Sequence, residues 1–177
     1  MEQKVNVWKA NLTNGLILGL MGVVYTLVIY FLNMSTNRIQ GFIFYLILIF
    51  VLYFLVKSYR DNYMHGMITF GQALGAGVVI FLYYSVITAI FSYILFAIID
   101  PGLIDKMIAA AEETGMKRGF TQEQIDLSLQ FQKKIMTPPV LAIMGIFGNM
   151  FFGLIISLIV AAFVRKEGNP LIDSNQQ

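Results

Sequence analysis

Cysteine is absent from the 177 residues, which excludes disulfides, thiolate metal sites and cysteine nucleophiles together. Histidine occurs once, as His65, and one imidazole without a second ligand cannot build a zinc site. Charge is scarce as well. Only 12% of residues are Asp, Glu, Lys or Arg, about half of the roughly 25% usual in soluble domains. None of them falls within residues 14–34, 40–56, 70–99 or 139–164. Ion-coupled transporters and proton relays place ionisable groups near mid-membrane, so this absence argues against both. G-x-S-x-G, H-E-x-x-H and P-loop patterns are missing. Ser85, Ser92 and Ser157 have no histidine or lysine in their own segments to activate them. A net charge of +2, dispersed along the chain, does not suggest nucleic acid. Nothing calls for a cofactor, and no catalytic constellation is present.

What the chain does have is apolar length: 58% of it is hydrophobic. Residues 14–34 are 21 in number and charge-free, and as a helix they reach about 31 Å, enough for a bilayer core. This run is too long for a cleaved leader's apolar region, and Asn33-Met34-Ser35-Thr36 is not an A-x-A-like site. Three further spans follow at about 40–56, 70–99 and 139–164. The third exceeds about 20 residues, so it tilts or its first turns stand outside the hydrocarbon. No linker-rich stretch divides the chain, which reads as one domain over residues 1–177. The expected fold is an all-α integral membrane protein with four transmembrane helices. A helical insert, residues 100–137, separates the third from the fourth. Leu103, Ile104, Met107, Ile108 and Ala111 recur there at helical spacing, so the insert is amphipathic and suited to the membrane surface.

Small residues and caps carry most of the remaining signal. Gly15, Gly19, Gly22 and Thr26 line one face of span one. Span two, Gly41 apart, holds only large side chains, which places it at the periphery. Thr69 and Gln72 have capping-box spacing at the start of span three. Gly71, Gly75 and Gly77 follow, and offer little bulk to an approaching backbone. Asp100-Pro101 ends that span and reads as cap and first position of the next helix. Thr121 with Gln124 forms a second capping box. Along span four, Gly145, Asn149, Gly153, Ser157 and Ala161 stand at four-residue spacing, one small ridge with a single amide on it. Asn149 therefore reads as an interhelical hydrogen bond or, functionally, as a ligand or pore contact. His65 lies four residues after Asp61, so a helical connector would orient it as a proton acceptor; otherwise the two are a solvated juxtamembrane pair.

Lysine and arginine in the tails and second loop (Lys4, Lys9, Lys57, Arg60, Arg165, Lys166) predict both termini in the cytoplasm and the insert outside. Trp8 suits an interfacial anchor.

The four spans, the N-G-x-x-x-G start of span one, G-x-I-T-F-G-Q-A at Gly66 to Ala73, the Asp-Pro after span three and the amphipathic insert together resemble the domain of unknown function 4199 family (DUF4199). The resemblance covers nearly the full length. It implies an integral inner-membrane protein of bacteria of the Bacteroidetes type and carries no catalytic residue. Two functions are expected. One is a non-catalytic scaffold or accessory subunit that holds a membrane protein partner, or a second copy of itself, within the lipid bilayer. The other is an oligomeric carrier or channel for a small neutral or lipidic solute. An integral-membrane enzyme ranks behind both.

Overall fold

The computed structural model describes residues 5–34 and 38–167. Residues 1–4 with Lys4, residues 35–37, the side chain of Arg38 and residues 168–177 lie outside the described residues. The rest is helical: α1 (Val7–Ala10), α2 (Leu12–Phe31), α3 (Arg38–Tyr63), α4 (Phe70–Ile94) running into a π-helical turn (Leu95–Ile99), α5 (Leu103–Lys117), α6 (Gln122–Ile135) and α7 (Pro138–Val164). Four stretches, Leu12–Phe31, Ile39–Tyr63, Phe70–Ile99 and Pro138–Val164, are long and apolar enough to cross a membrane. The fold is all-α.

Cross-helix pairs fix the arrangement. Gly15 faces Tyr83, Gly19 faces Ile87 and Gly22 faces Thr88; the numbers rise together, so α2 and α4 are parallel neighbours. Gly77 faces Ser157, Gly153 faces Phe81 and Asn149 reaches Thr88, so α7 runs antiparallel to α4. Asn14 reaches the carbonyl of Leu55, and Tyr25 that of Gln40, so α3 runs antiparallel to α2. Helix α4 thus lies between α2 and α7 and is the most deeply buried of the long helices.

Helix α3 is not wholly peripheral, contrary to the sequence expectation. Leu48, Leu52, Leu55, Val56 and Tyr59 are buried and share one stripe at helical spacing, while Phe42, Leu46, Phe50 and Phe54 on the opposite side are exposed. Large side chains pack ridge into groove at ordinary helix separation. The lack of a small face prevents backbone contact; it does not prevent burial.

Local signals account for the helix ends. Thr69 Oγ1 accepts from the Gln72 amide (3.3 Å), and Gln72 Oε1 accepts from the Thr69 amide (2.9 Å); Thr121 and Gln124 make the same pair of bonds at α6. Asn6 caps α1, accepting from the amides of Trp8 and Lys9. Asp100 is not a cap: α5 starts at Leu103, with Gly102 preceding it. The wide turn before it, in which the Asp100 amide donates to Leu95 O (2.8 Å), displaces the helix start by two residues. The Asp100 carboxylate instead accepts from Lys106 Nζ (3.1 Å) and the Tyr30 hydroxyl (3.3 Å). It ties α5 to the end of α2.

One end of the bundle is latched by backbone. Ile68 and Lys166 exchange both amide–carbonyl bonds, each 2.9 Å, joining the α3–α4 connector to the segment leaving α7. Ile68 is 1% exposed, so its apolar side chain seats that pairing in the core. Arg60 Nη1 donates to Val164 O (3.1 Å), satisfying one of the last carbonyls of α7.

Candidate functional site

The glycine faces are notches filled by side chains. A Cβ added at Gly19 would lie 2.5 Å from Ile87 Cδ1, and one at Gly22 would lie 2.7 Å from Tyr84 Cε2. At Gly15 it would overlap the Tyr83 ring, and at Gly153 the Phe81 ring. Only at Gly77 does a small residue meet a small residue: a Cβ there would stand 2.7 Å from Ser157 Oγ and 3.5 Å from Ser157 Cα. Gly71, Gly75 and Gly145 are different. Nothing lies within 4 Å of a Cβ at any of them, so they are not close helix contacts. Periodicity marks a face that lacks bulk, but it does not say whether a neighbour fills it. The ridge of α7 is used from Asn149 onward, with Gly153, Ser157 and Ala161 buried.

Polar side chains inside the bundle are mostly engaged, by backbone carbonyls or by one another. Asn149 Nδ2 donates to Thr88 Oγ1 (3.2 Å). Ser85 donates to Leu82 O (2.8 Å), while Ser157 Oγ is buried with no hydrogen-bond partner among the described residues. Sequence reasoning missed a buried pair. Asn14 Nδ2 donates to Asn11 Oδ1 (3.1 Å) and lies 3.3 Å from Leu55 O, and Asn11 Nδ2 donates to Val7 O (3.0 Å). Both asparagines are buried, at the break between α1 and α2. The signal was their spacing of three, which puts two amides on one helical face.

The other titratable candidates do not converge. Helix α3 ends at Tyr63, and His65 is exposed with a left-handed φ of +52°. Asp61 pairs instead with Arg60 (2.8 Å), so the two do not form an acid–base dyad. Among the described residues no group of three or more His, Asp or Glu is placed to hold a metal.

Several hollows open to the surroundings, and two of them lie at opposite ends of the bundle. An apolar groove of about 500 Å³ runs beside Gly71 and Gly75, between Trp8 and Met150. A smaller one of about 210 Å³ sits at the opposite end, among Tyr25, Gln40, Phe44, Phe96 and Met107. The model of a family described as protein of unknown function, DUF4199, matches residues 13–166. The chain belongs to that family. The DUF4199 match takes in all four long helices, the α5–α6 insert and both partners of the Ile68–Lys166 latch. No curated protein and no solved structure matches the chain.

Proposed function

We propose that this DUF4199 protein is a non-catalytic scaffold or accessory subunit of the bacterial inner membrane, acting by helix packing on a membrane protein partner or a second copy. The observation that carries the reading is the state of Asn149. It is the strongest polar group at depth in α7, and its amide is engaged by Thr88 (3.2 Å) rather than turned into a cavity. The filled notches at Gly15, Gly19, Gly22 and Gly153 support it too, since those helix faces are given over to packing. Both termini are proposed to be cytoplasmic. Lys57, Arg60 and Lys166 share the latched end, and basic residues favour that side. The α5–α6 insert then lies outside, where exposed Phe120, Leu127 and Phe131 suit a membrane surface.

The test is isolation in native lipid with chemical crosslinking. A stoichiometric protein partner, or a crosslinked dimer, is expected, together with no solute uptake by proteoliposomes. A second reading, an oligomeric carrier for a small neutral or lipidic solute, is supported by the open groove beside Gly71 and Gly75. Uptake that Asn149→Leu abolishes while the protein stays folded would replace the first reading with the second.

A further inference from the structure

The hollow at the insert end of the bundle has the character of a ligand site. Its floor and walls come from four separate elements: Tyr25 and Thr26 of α2, Gln40 and Phe44 of α3, Phe96 of the π-helical turn and Met107 of α5. Tyr25 and Phe44 stack with ring centroids 4.3 Å apart and planes inclined by 21°, which makes one wall flat and rigid. Phe96 is presented by a π-helical stretch, whose amide–carbonyl bonds span one residue more than those of an α-helix. Such turns occur often at functional sites because they redirect side chains. Met107 closes the outer side with an unbranched, adaptable side chain.

Size limits the occupant. The hollow measures about 210 Å³, and an apolar cavity of about 150 Å³ accommodates benzene. One substituted six-membered ring fits; a whole acyl tail or a fused polycycle does not. Polarity limits it further. The Tyr25 hydroxyl donates to Gln40 O (2.7 Å), and Thr26 donates to Gly22 O (2.9 Å), so both oxygens keep lone pairs but no free proton. The Gln40 side-chain amide makes no hydrogen bond among the described residues and offers two N–H donors. Among the described side chains, Asp100, which accepts from the Tyr30 hydroxyl at one edge of the hollow (3.3 Å), is paired with Lys106 at 3.1 Å. A neutral ring bearing an acceptor oxygen meets these conditions.

We infer that this hollow binds a neutral ring-bearing amphiphile of the phenol or quinone class, entering from the bilayer with its oxygen on the Gln40 amide. The inference stands apart from the scaffold reading, since a packing subunit and a carrier are both able to hold such a ligand.

The experiment uses the full chain in phosphatidylcholine nanodiscs, with a benzoquinone bearing a diazirine as photoreactive probe. Labelled peptides are identified by mass spectrometry, and unlabelled decyl benzoquinone and palmitic acid serve as competitors. Saturable labelling of the segments holding Phe96 and Met107, competed by the quinone and not by palmitate, is expected. Thr26→Leu fills the hollow, and Gln40→Leu removes the amide at near-constant volume. Each should lower labelling at least about fivefold, the effect of losing roughly one hydrogen bond. Gln40 is half-exposed, so Gln40→Leu is the deciding variant if Thr26→Leu fails to fold. Labelling that grows without saturation over all lipid-facing helices would overturn the inference. So would equal competition by palmitate, which makes the occupant an acyl chain, or labelling unchanged in folded Gln40→Leu.

Discussion

The ring of Phe81 in α4 occupies the notch left by Gly153 in α7, with Phe81 Cδ1 only 2.6 Å from where a Cβ on Gly153 would stand. Phe81 is 1% exposed and belongs to the buried core. Gly153→Ile should therefore cost about 1–3 kcal/mol or more through overpacking, read as a fall in melting temperature in detergent. Gly145→Ile, on the same ridge but facing open space, and Phe151→Ile, 63% exposed, should change stability by no more than about 0.5 kcal/mol. Equal damage at positions 145 and 153 would refute the notch.

Asn149 and Thr88 make the hydrogen bond between α7 and α4. A double-mutant cycle of Asn149→Leu and Thr88→Val should give a coupling of about 0.6 kcal/mol, and no more than about 1.7, the range for such bonds between membrane helices. Zero coupling would mean that the amide serves something other than this contact.

Arg60 holds the last turn of α7 through Val164 O (3.1 Å), beside the Ile68–Lys166 pairing. Arg60→Met keeps the aliphatic stem and removes the donor, at a cost of about 1 kcal/mol. Amide hydrogen exchange should speed up at Ile68 and Lys166 and stay unchanged around Thr88. Uniform acceleration would point to global loosening rather than to an open latch.

The anchoring of α5 should depend on pH in one direction only. The hydrogen bond from Lys106 holds the Asp100 carboxyl below the usual carboxylate range, its attraction adds to that, and the Tyr30 hydroxyl contributes further. A group whose folded pKa is depressed stabilises the fold fully above its unfolded value, about 3.9 for Asp, and loses that contribution as pH falls through the folded value. Limited proteolysis of the insert should therefore be constant from about pH 5 to 8 and increase only in acid. Asp100→Asn should remove that acid limb.

The proposed orientation makes a further prediction. A reporter active only outside the cytoplasm should be silent when fused at the C-terminus and active when inserted within residues 109–119. The reverse pattern would invert the topology.

The four apolar lengths and the capping boxes at Thr69 and Thr121 were legible because each depends on neighbours in the chain: helical rise sets the span, and a cap links residues three apart. The face carrying Gly15, Gly19 and Gly22 was legible as a face for the same reason. Its occupant was not, since Tyr83, Tyr84, Ile87 and Thr88 lie more than sixty residues away and present large side chains rather than a second small stripe. The same limit explains Gly71, Gly75 and Gly145, which look like contact glycines and meet nothing. It explains the inner stripe of α3, the Asn14–Leu55 bond and the Ile68–Lys166 latch as well. The sequence by itself determined which segments are helical, apolar and capped, because those properties are local and set by period and side-chain chemistry. Which faces meet, which notches are filled and which polar groups find partners were decided only by the tertiary structure, because each needs two distant surfaces whose shapes must match at once.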